Sequence, residues 1–261
     1  MPSYSPQLML FGRGTVSSDF PGGREGPVGG AFFVTQLDRA VPFQVHGPAQ
    51  MVGVSLNMKG WAALTGLPVN KTINRILRVD QTLPEQRARA LSATAMKLGR
   101  GECDGNEAAR ETAEILVAAL HALDPEHERF IVRMLEWLGA SFNPSLDELH
   151  DSLPMSPRTV QRLSNRYFGR PPITLAKRYR AIRAATFLSM PDMPEGIETE
   201  IYNSFYDQAH LIRDLRRYTG RTPKRLGGAE ESLAEKTLDV KGYGNSALFD
   251  RIAQEEAKDR S

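Results

Sequence analysis

The chain of 261 residues contains one cysteine and five histidines and has no long apolar run. Because Cys103 is alone, an internal disulfide and a thiolate cage for zinc are excluded. No stretch of about 18 consecutive apolar residues is present, so we predict no membrane-spanning helix. The first residues also lack the basic and apolar regions of a signal peptide, and we therefore expect a cytoplasmic protein.

Residues 7–79 have the pattern of β-strands rather than of helices. Glycine and proline separate short apolar or alternating runs at residues 8–11, 31–34, 41–46 and 51–56. Residues 19–30 are rich in both turn formers but lack the spacing of a phosphate-binding loop. We predict a plain turn region there, within a β-rich half of the chain.

Helical periodicity begins after these strands. We predict helices over residues 60–67, 84–98 and 107–123, and periodic segments from residue 128 to about 225 are all helical. The third predicted helix carries an apolar stripe, which indicates either internal packing or a dimer seam. The stripe consists of Ile115, Leu116, Ala119, Leu120 and Leu123.

Groups that build catalytic or metal sites are scarce. Within the β-rich segment His46 is the only histidine, so several histidines cannot surround a metal there. Cys103 lies between Glu102 and Asp104, whose charges raise the pKa of a thiol, and we expect it to be unreactive. No nucleophile elbow, Walker motif or dinucleotide fingerprint is present. We therefore expect no enzymatic activity, no catalytic residue, no cofactor and no metal.

The charges are unevenly distributed, although the net charge is only +2. Residues 156–226 contain 14 basic and 6 acidic residues, whereas residues 1–155 and 227–261 are both net acidic. Such a basic block fits a polyanionic partner, because lysine and arginine contact phosphates and release counterions. A solvated, charged helix surface has the same composition, so the charge alone leaves both interpretations open.

Residues 145–168 have the layout of a helix-turn-helix unit. A short helix over residues 145–152 and a break are followed by Ser156-Pro157, a cap and first residue typical of a helix start. The second helix has one apolar face and one polar face without acidic residues. Since arginine can bind guanine and glutamine adenine through paired hydrogen bonds, we predict that the polar face contacts DNA. Its members are Arg158, Gln161, Arg162 and Asn165.

A second unit of the same kind follows. Residues 197–205 give a short apolar helix, Asp207 caps the next one, and Gly220 ends it. The outward side chains of that helix are Gln208, Arg213, Arg216 and Arg217. Between the units, a predicted helix over residues 173–188 spans about 24 Å. A rigid spacer of that length fits two reading helices in neighbouring major-groove segments, at most about 34 Å apart.

These two units resemble the DNA-binding domain of AraC/XylS-type transcriptional regulators, over about 85 residues. The matching runs are 156–162, 168–172, 180–188, 219–223 and Phe205-Tyr206-Asp207-Gln208-Ala209-His210-Leu211-Ile212-Arg213. In that family the early outward positions of each second helix read bases, which implies Arg158, Gln161 and Arg162 in the first unit. In the second unit the matching Ala209 offers only a methyl group, so we assign reading to Gln208, His210 and Arg213, with Arg217 beside them.

The N-terminal half is similar to the β-rich sensor half of many such regulators. The similarity lies in Val52–Leu56, Gly60–Leu64 and Gly66-Leu67-Pro68. In those proteins a cupin-like barrel precedes helices that form dimer contacts. The resemblance therefore implies an effector pocket for a small molecule, a homodimer, or both.

Four positions depart from the family pattern. His150 replaces a small residue and Ser204 a glycine, while Glu200 and Asn203 replace alanine and an apolar residue. These departures concern mainly the second unit, which in one alternative binds weakly or contacts only phosphates. In another alternative the chain is a ligand-binding or protein-interaction module that retains a degenerate helix-turn-helix scaffold.

Together these observations predict an α+β protein in three parts. Residues 1–125 form a β-rich, cupin-like sensor or dimerisation domain with trailing helices. Residues 126–226 form an all-α domain of two helix-turn-helix units joined by a long helix, and residues 227–261 an acidic, partly disordered tail. We expect double-stranded DNA as the partner and no membrane. A small-molecule effector, a second copy of the chain and RNA polymerase are the further partners that a regulator implies.

Overall fold

The computed structural model describes residues 5–190, 193 and 196–226. They divide into two compact units, of which the first ends at Pro125 and the second begins at Glu126. The first unit contains strands and helices and the second only helices in its described residues, which confirms the α+β class. The predicted acidic tail, residues 227–261, lies outside the described part of the chain.

A four-stranded antiparallel sheet with the order β3-β1-β2-β4 forms the base of the N-terminal unit. The strands are β1 Gln7–Phe20, β2 Gly23–Val34, β3 Phe43–Ser55 and β4 Ile76–Arg78. The central strand β1 pairs with both long neighbours, so that Gln7 lies opposite Val34 on one side and Ser55 on the other. Strands β3 and β4 are the edges, and the predicted cupin-like half therefore takes the form of an open sheet in the described residues.

The prediction of a plain turn region over residues 19–30 is wrong. Only Pro21 and Gly22 form the turn, and the flanking residues belong to the β1–β2 hairpin. Gly26 and Gly30 have φ angles of 99° and 71°, in the left-handed region that glycine tolerates best. Register shifts accompany them in the pairing of the two strands. Glycine here permits irregular strand pairing instead of ending the strands.

Four α-helices and a 3-10 helix, Val79–Gln81, complete the described part of the N-terminal unit. The α-helices are α1 Met58–Thr65, α2 Val69–Thr72, α3 Glu85–Arg100 and α4 Gly105–Val117. Helix α3 lies very close to β1, because a Cβ atom on Gly99 would come within 2.1 Å of the Gly12 carbonyl oxygen. A cluster of buried apolar residues from the sheet and the helices forms a core that includes Leu8, Phe33, Trp61 and Leu91.

Helix α4 ends six residues earlier than the periodicity predicts. Beyond Val117 the chain leaves the helix, and the amide of His121 donates a hydrogen bond of 2.8 Å to the Ala63 carbonyl of α1. Leu116 is buried, whereas 68% of Val117 and 47% of Leu120 are exposed. Only part of the predicted apolar stripe therefore packs inside this unit.

Seven helices form the described part of the C-terminal unit. They are α5 Pro125–Ala140, α6 Leu146–Asp151, α7 Pro157–Phe168, α8 Pro172–Leu188, α9 Ile197–Ser204, α10 Gln208–Thr219 and α11 Pro223–Leu226. Helix α8 lies at the centre, because from Arg180 to Phe187 every residue is buried. Buried side chains of the surrounding helices, among them Phe130, Leu149 and Leu215, form the core. No helix among the described residues is long and apolar enough to cross a membrane.

Candidate nucleic-acid interface

Helices α6 and α7 form the first helix-turn-helix unit as predicted. Ser145 caps α6 and exchanges hydrogen bonds with Glu148, so that two free amides at the helix start are satisfied. Ser156 caps α7 by accepting a hydrogen bond from the Thr159 amide. The helix ends at Gly169, whose φ of 75° lies in the left-handed region that suits a helix terminus.

The two faces of α7 differ sharply in burial and charge. Val160, Leu163 and Phe168 are at most 1% exposed, and they hold the helix against the core. Arg158, Gln161 and Arg162 are exposed, and Asn165 is half-buried. Within the described residues neither arginine forms an ion pair, so both guanidinium groups are available to a ligand.

A buried contact that the sequence did not indicate attaches α7 to α5. The Tyr167 hydroxyl lies 2.9 Å from Nδ1 of His127, and the rings of Phe168 and Phe130 meet edge to face at 6.5 Å. Each pair joins residues about 40 positions apart, so no local pattern reveals it. The contacts fix the back of α7, while Arg158 and Arg162 on its other face remain exposed.

Helices α9 and α10 form the second unit. Asp207 caps α10 by accepting a hydrogen bond of 2.6 Å from the His210 amide, and Gly220 ends the helix with a φ of 75°. Leu211, Leu215 and Tyr218 are buried. The outward residues are exposed, as the periodicity predicts. They are Gln208, Arg213, Arg216 and Arg217.

His210 occupies a different environment from the other residues predicted to read bases. Its Nε2 atom lies 3.2 Å from the Asp214 carboxylate, and 27% of its side chain is exposed. Its ring packs edge to face on Phe205 at 5.9 Å. The structure thus places most of the imidazole against the protein.

Much of the positive charge of α8 belongs to the interior and not to a surface. Lys177 is exposed, whereas Arg178, Arg180 and Arg183 are between 2% and 8% exposed. Arg183 donates hydrogen bonds to the carbonyls of Leu138 and Ser141 at the end of α5. There its positive charge meets the partial negative charge of the helix terminus. The number of basic residues in the block 156–226 is therefore larger than the number that a polyanion can contact.

The departures from the family pattern are accommodated in the second unit. Ser204 ends α9, and its hydroxyl donates a hydrogen bond of 2.7 Å to the Ile201 carbonyl. Asn203 is exposed and Glu200 half-buried, so neither places an unpaired group in the core. The helix-turn-helix geometry persists with these residues in place.

The remaining candidate groups do not assemble into a reactive site. Desolvation raises the pKa of the Cys103 thiol, and the carboxylates of Glu107 and Glu111 raise it further, which keeps the thiol protonated and weakly nucleophilic. His46 lies on the exposed strand β3, with Nε2 at 3.1 Å from the Ser17 hydroxyl. Across the residues that the structure describes, no cluster of three or more potential ligands suits a metal ion.

Comparisons with known proteins agree with this geometry in the C-terminal unit. A family described as a helix-turn-helix domain matches residues 149–228, a range that contains the last three residues of α6, all of α7 and the whole second unit. No curated protein matches the chain. Among solved structures, a variant of apo ToxT from Vibrio cholerae is similar, with a TM-score of 0.45 and 8% sequence identity. The match covers 86% of this chain and 89% of that one.

Proposed function

We propose that this chain, whose residues 149–228 match a family described as a helix-turn-helix domain, is a sequence-specific DNA-binding regulator of transcription of the AraC type. In this proposal α7 and α10 enter adjacent segments of the major groove. One observation gives this proposal its main support. Two capped helices of one compact unit each present unpaired arginine and glutamine side chains to solvent, opposite a buried apolar face.

The first helix supplies direct readout. Arg158, Gln161 and Arg162 lie in its first two turns, where a recognition helix approaches base edges. Arginine offers two donors to guanine, and the glutamine amide offers a donor and an acceptor to adenine, so each residue discriminates between base pairs. Asn165 lies on the same face and, being half-buried, contacts the edge of the footprint.

The second helix reads bases with Gln208 and Arg213, and Arg217 extends the contact surface along the groove. His210 takes part through the exposed quarter of its side chain. Exposed arginines beside these residues, Arg166 and Arg216, contact phosphates and set the register of the domain on the duplex.

The N-terminal unit, residues 1–125, is the sensor or dimerisation half in this proposal. The exposed apolar residues Val117 and Leu120 at the end of α4 support a contact with a second copy of the chain. A small-molecule effector bound to this half would change DNA binding by the domain of residues 126–226, and with it the access of RNA polymerase to a promoter.

The test begins with a duplex selected from a random pool by the full chain. Arg162→Ala should weaken binding to it by about 1–3 kcal/mol and relax the preference at one base pair, without altering thermal stability. Gel-shift titrations on the selected duplex and its single-base variants measure both effects. Unchanged affinity and preference would remove α7 from the interface.

The salt dependence of binding separates the proposal from its alternative. A protein that neutralises several phosphates loses affinity steeply as salt concentration rises, because counterions are released. A flat response on random duplex would favour an interaction module that has kept a helix-turn-helix scaffold without its nucleic-acid function.

A further inference from the structure

Arg180 is a buried cation at the point where the two helix-turn-helix units meet. Its Nη1 atom donates to the side-chain oxygen of Asn143 at 2.7 Å and to the Ser204 carbonyl at 2.9 Å. Asn143 precedes α6 in the first unit, and Ser204 ends α9 in the second. One guanidinium group on the spacer helix thus contacts both units.

Asn143 closes a triangle of hydrogen bonds around this group. While its Oδ1 accepts from Arg180, its Nδ2 donates to the same Ser204 carbonyl at 2.9 Å. Residues 61 positions apart in sequence are therefore joined directly. Each polar atom of the triangle has its partner, whereas the buried Nε atom of Arg180 has no hydrogen-bond partner among the described residues.

The other side of the guanidinium group faces the second recognition helix. Nη2 of Arg180 lies 3.5 Å from the carboxylate of Asp214 on α10, and the group stacks over the Phe205 ring at 4.5 Å. The Asp214 carboxylate also lies 3.2 Å from the Nε2 atom of His210. The planar, five-donor group of arginine suits several partners at fixed angles, which a lysine ammonium cannot match.

We propose that Arg180 and Asn143 are positioning residues that fix the orientation of α10 relative to α7 and thereby the spacing of half-sites that the domain accepts on DNA. This inference rests on the proposed function. The two residues touch no DNA in it. They act by joining α8, the end of α9, α10 and the segment before α6 into one rigid body.

DNA geometry makes such rigidity measurable. One inserted base pair shifts the second half-site by about 3.4 Å along the axis and about 34° around it. A rigid pair of helices cannot follow this displacement, so the second helix loses its base contacts. Two helices whose connection is less rigid can follow it in part, so the second helix keeps some of its base contacts.

The experiment compares three duplexes in gel-shift titrations with the full chain. They are the selected duplex, the same duplex with one base pair inserted between the half-sites, and one with the second half-site scrambled. For the unmodified protein, we expect insertion to weaken binding by about tenfold or more, as much as scrambling does. For Asn143→Ala and Arg180→Lys, we expect the insertion penalty to fall to about twofold to threefold while the scrambling penalty remains larger.

Arg183→Lys is the matched control, because Arg183 is also buried on α8 and also donates to carbonyls, but at the end of α5. It should lower thermal stability about as much as Arg180→Lys and keep the full insertion penalty. Asn143 is otherwise exposed, so its replacement by alanine leaves a folded protein even if Arg180→Lys does not fold.

The possible outcomes are distinct. If Asn143→Ala keeps the full insertion penalty, the inference is overturned and the proposed function remains intact. The same conclusion follows if the unmodified protein binds the duplex with the inserted base pair as tightly as the selected duplex. Equal loss of the penalty in Arg183→Lys also overturns it, since general destabilisation then explains the effect. Failure of the unmodified chain to select any duplex overturns the proposed function itself.

Discussion

Helices α7 and α10 differ in how the polar residues near their first turns are used. On α7 the polar residues Arg158, Gln161 and Arg162 are all exposed. On α10 the side chain of His210 is directed to Asp214, which also lies beside Arg180. The first helix thus keeps its polar side chains for a ligand, whereas the second uses part of its own for attachment. In the proposed function the two units therefore divide their polar residues differently between DNA contact and attachment to the protein.

The largest expected effect concerns a feature that both helices share, the buried leucines that pack each helix against the core. Leu163 on α7 and Leu215 on α10 are at most 1% exposed, so Leu163→Ala and Leu215→Ala should each lower the free energy of unfolding by about 2–5 kcal/mol. Urea unfolding followed by circular dichroism measures the loss. A loss below about 1 kcal/mol for either would show that its helix is not anchored through that residue.

The next effect compares reading by the two helices. Arg213→Ala should weaken binding to the selected duplex by about 1–3 kcal/mol, as Arg162→Ala does, and relax preference at a base of the other half-site. Gel shifts on single-base variants measure it. If Arg213→Ala affects all duplexes equally, α10 contacts only phosphates and the difference between the helices is greater than proposed.

A smaller effect tests the attachment of α7. Tyr167→Phe removes the hydrogen bond to His127 and should lower the free energy of unfolding by about 0.5–1.5 kcal/mol. Because the hydroxyl lies on the buried side of the helix, affinity for the selected duplex should not change. A clear loss of affinity at unchanged stability would mean that the back of α7 also positions its reading face.

The smallest effect separates phosphate contact from reading within α10. Arg216→Ala should weaken binding about equally on selected and scrambled duplexes and reduce the slope of affinity against salt by about one unit. Titrations at several salt concentrations measure it, with Arg213→Ala as the comparison. A change in base preference would place Arg216 among the reading residues.

Local features of the candidate site were predictable from the sequence. Ser156 and Asp207 cap helices, and Gly169 and Gly220 end them, because capping depends on residues within one turn of the helix end. The exposed faces of α7 and α10 follow from periodicity for the same reason. The environment of His210 was missed, although Asp214 lies four residues further along the same helix, a spacing at which side chains meet. Only the packing of the ring on Phe205 depends on the course of the preceding turn.

The N-terminal half illustrates the opposite case. Glycine and proline over residues 19–30 indicated a turn, yet most of these residues pair as strands. Glycine is compatible with a turn and with an irregular strand, and only pairing partners decide between them. Residues 23–30 pair with residues 11–20 of β1, so the outcome depended on the alignment of two whole strands, which the turn-forming residues alone do not specify.

By itself the sequence determined where α7 and α10 begin and end and which side chains each of them presents outward, because these depend on interactions within a few residues. Only the tertiary structure decided which arginines are available to a ligand. Arg162 and Arg180 are alike in a charge count, but one is exposed and the other is buried among Asn143, Ser204 and Asp214. Burial is a property of the whole packed domain, and the partners that enclose Arg180 come from three separate segments of the chain.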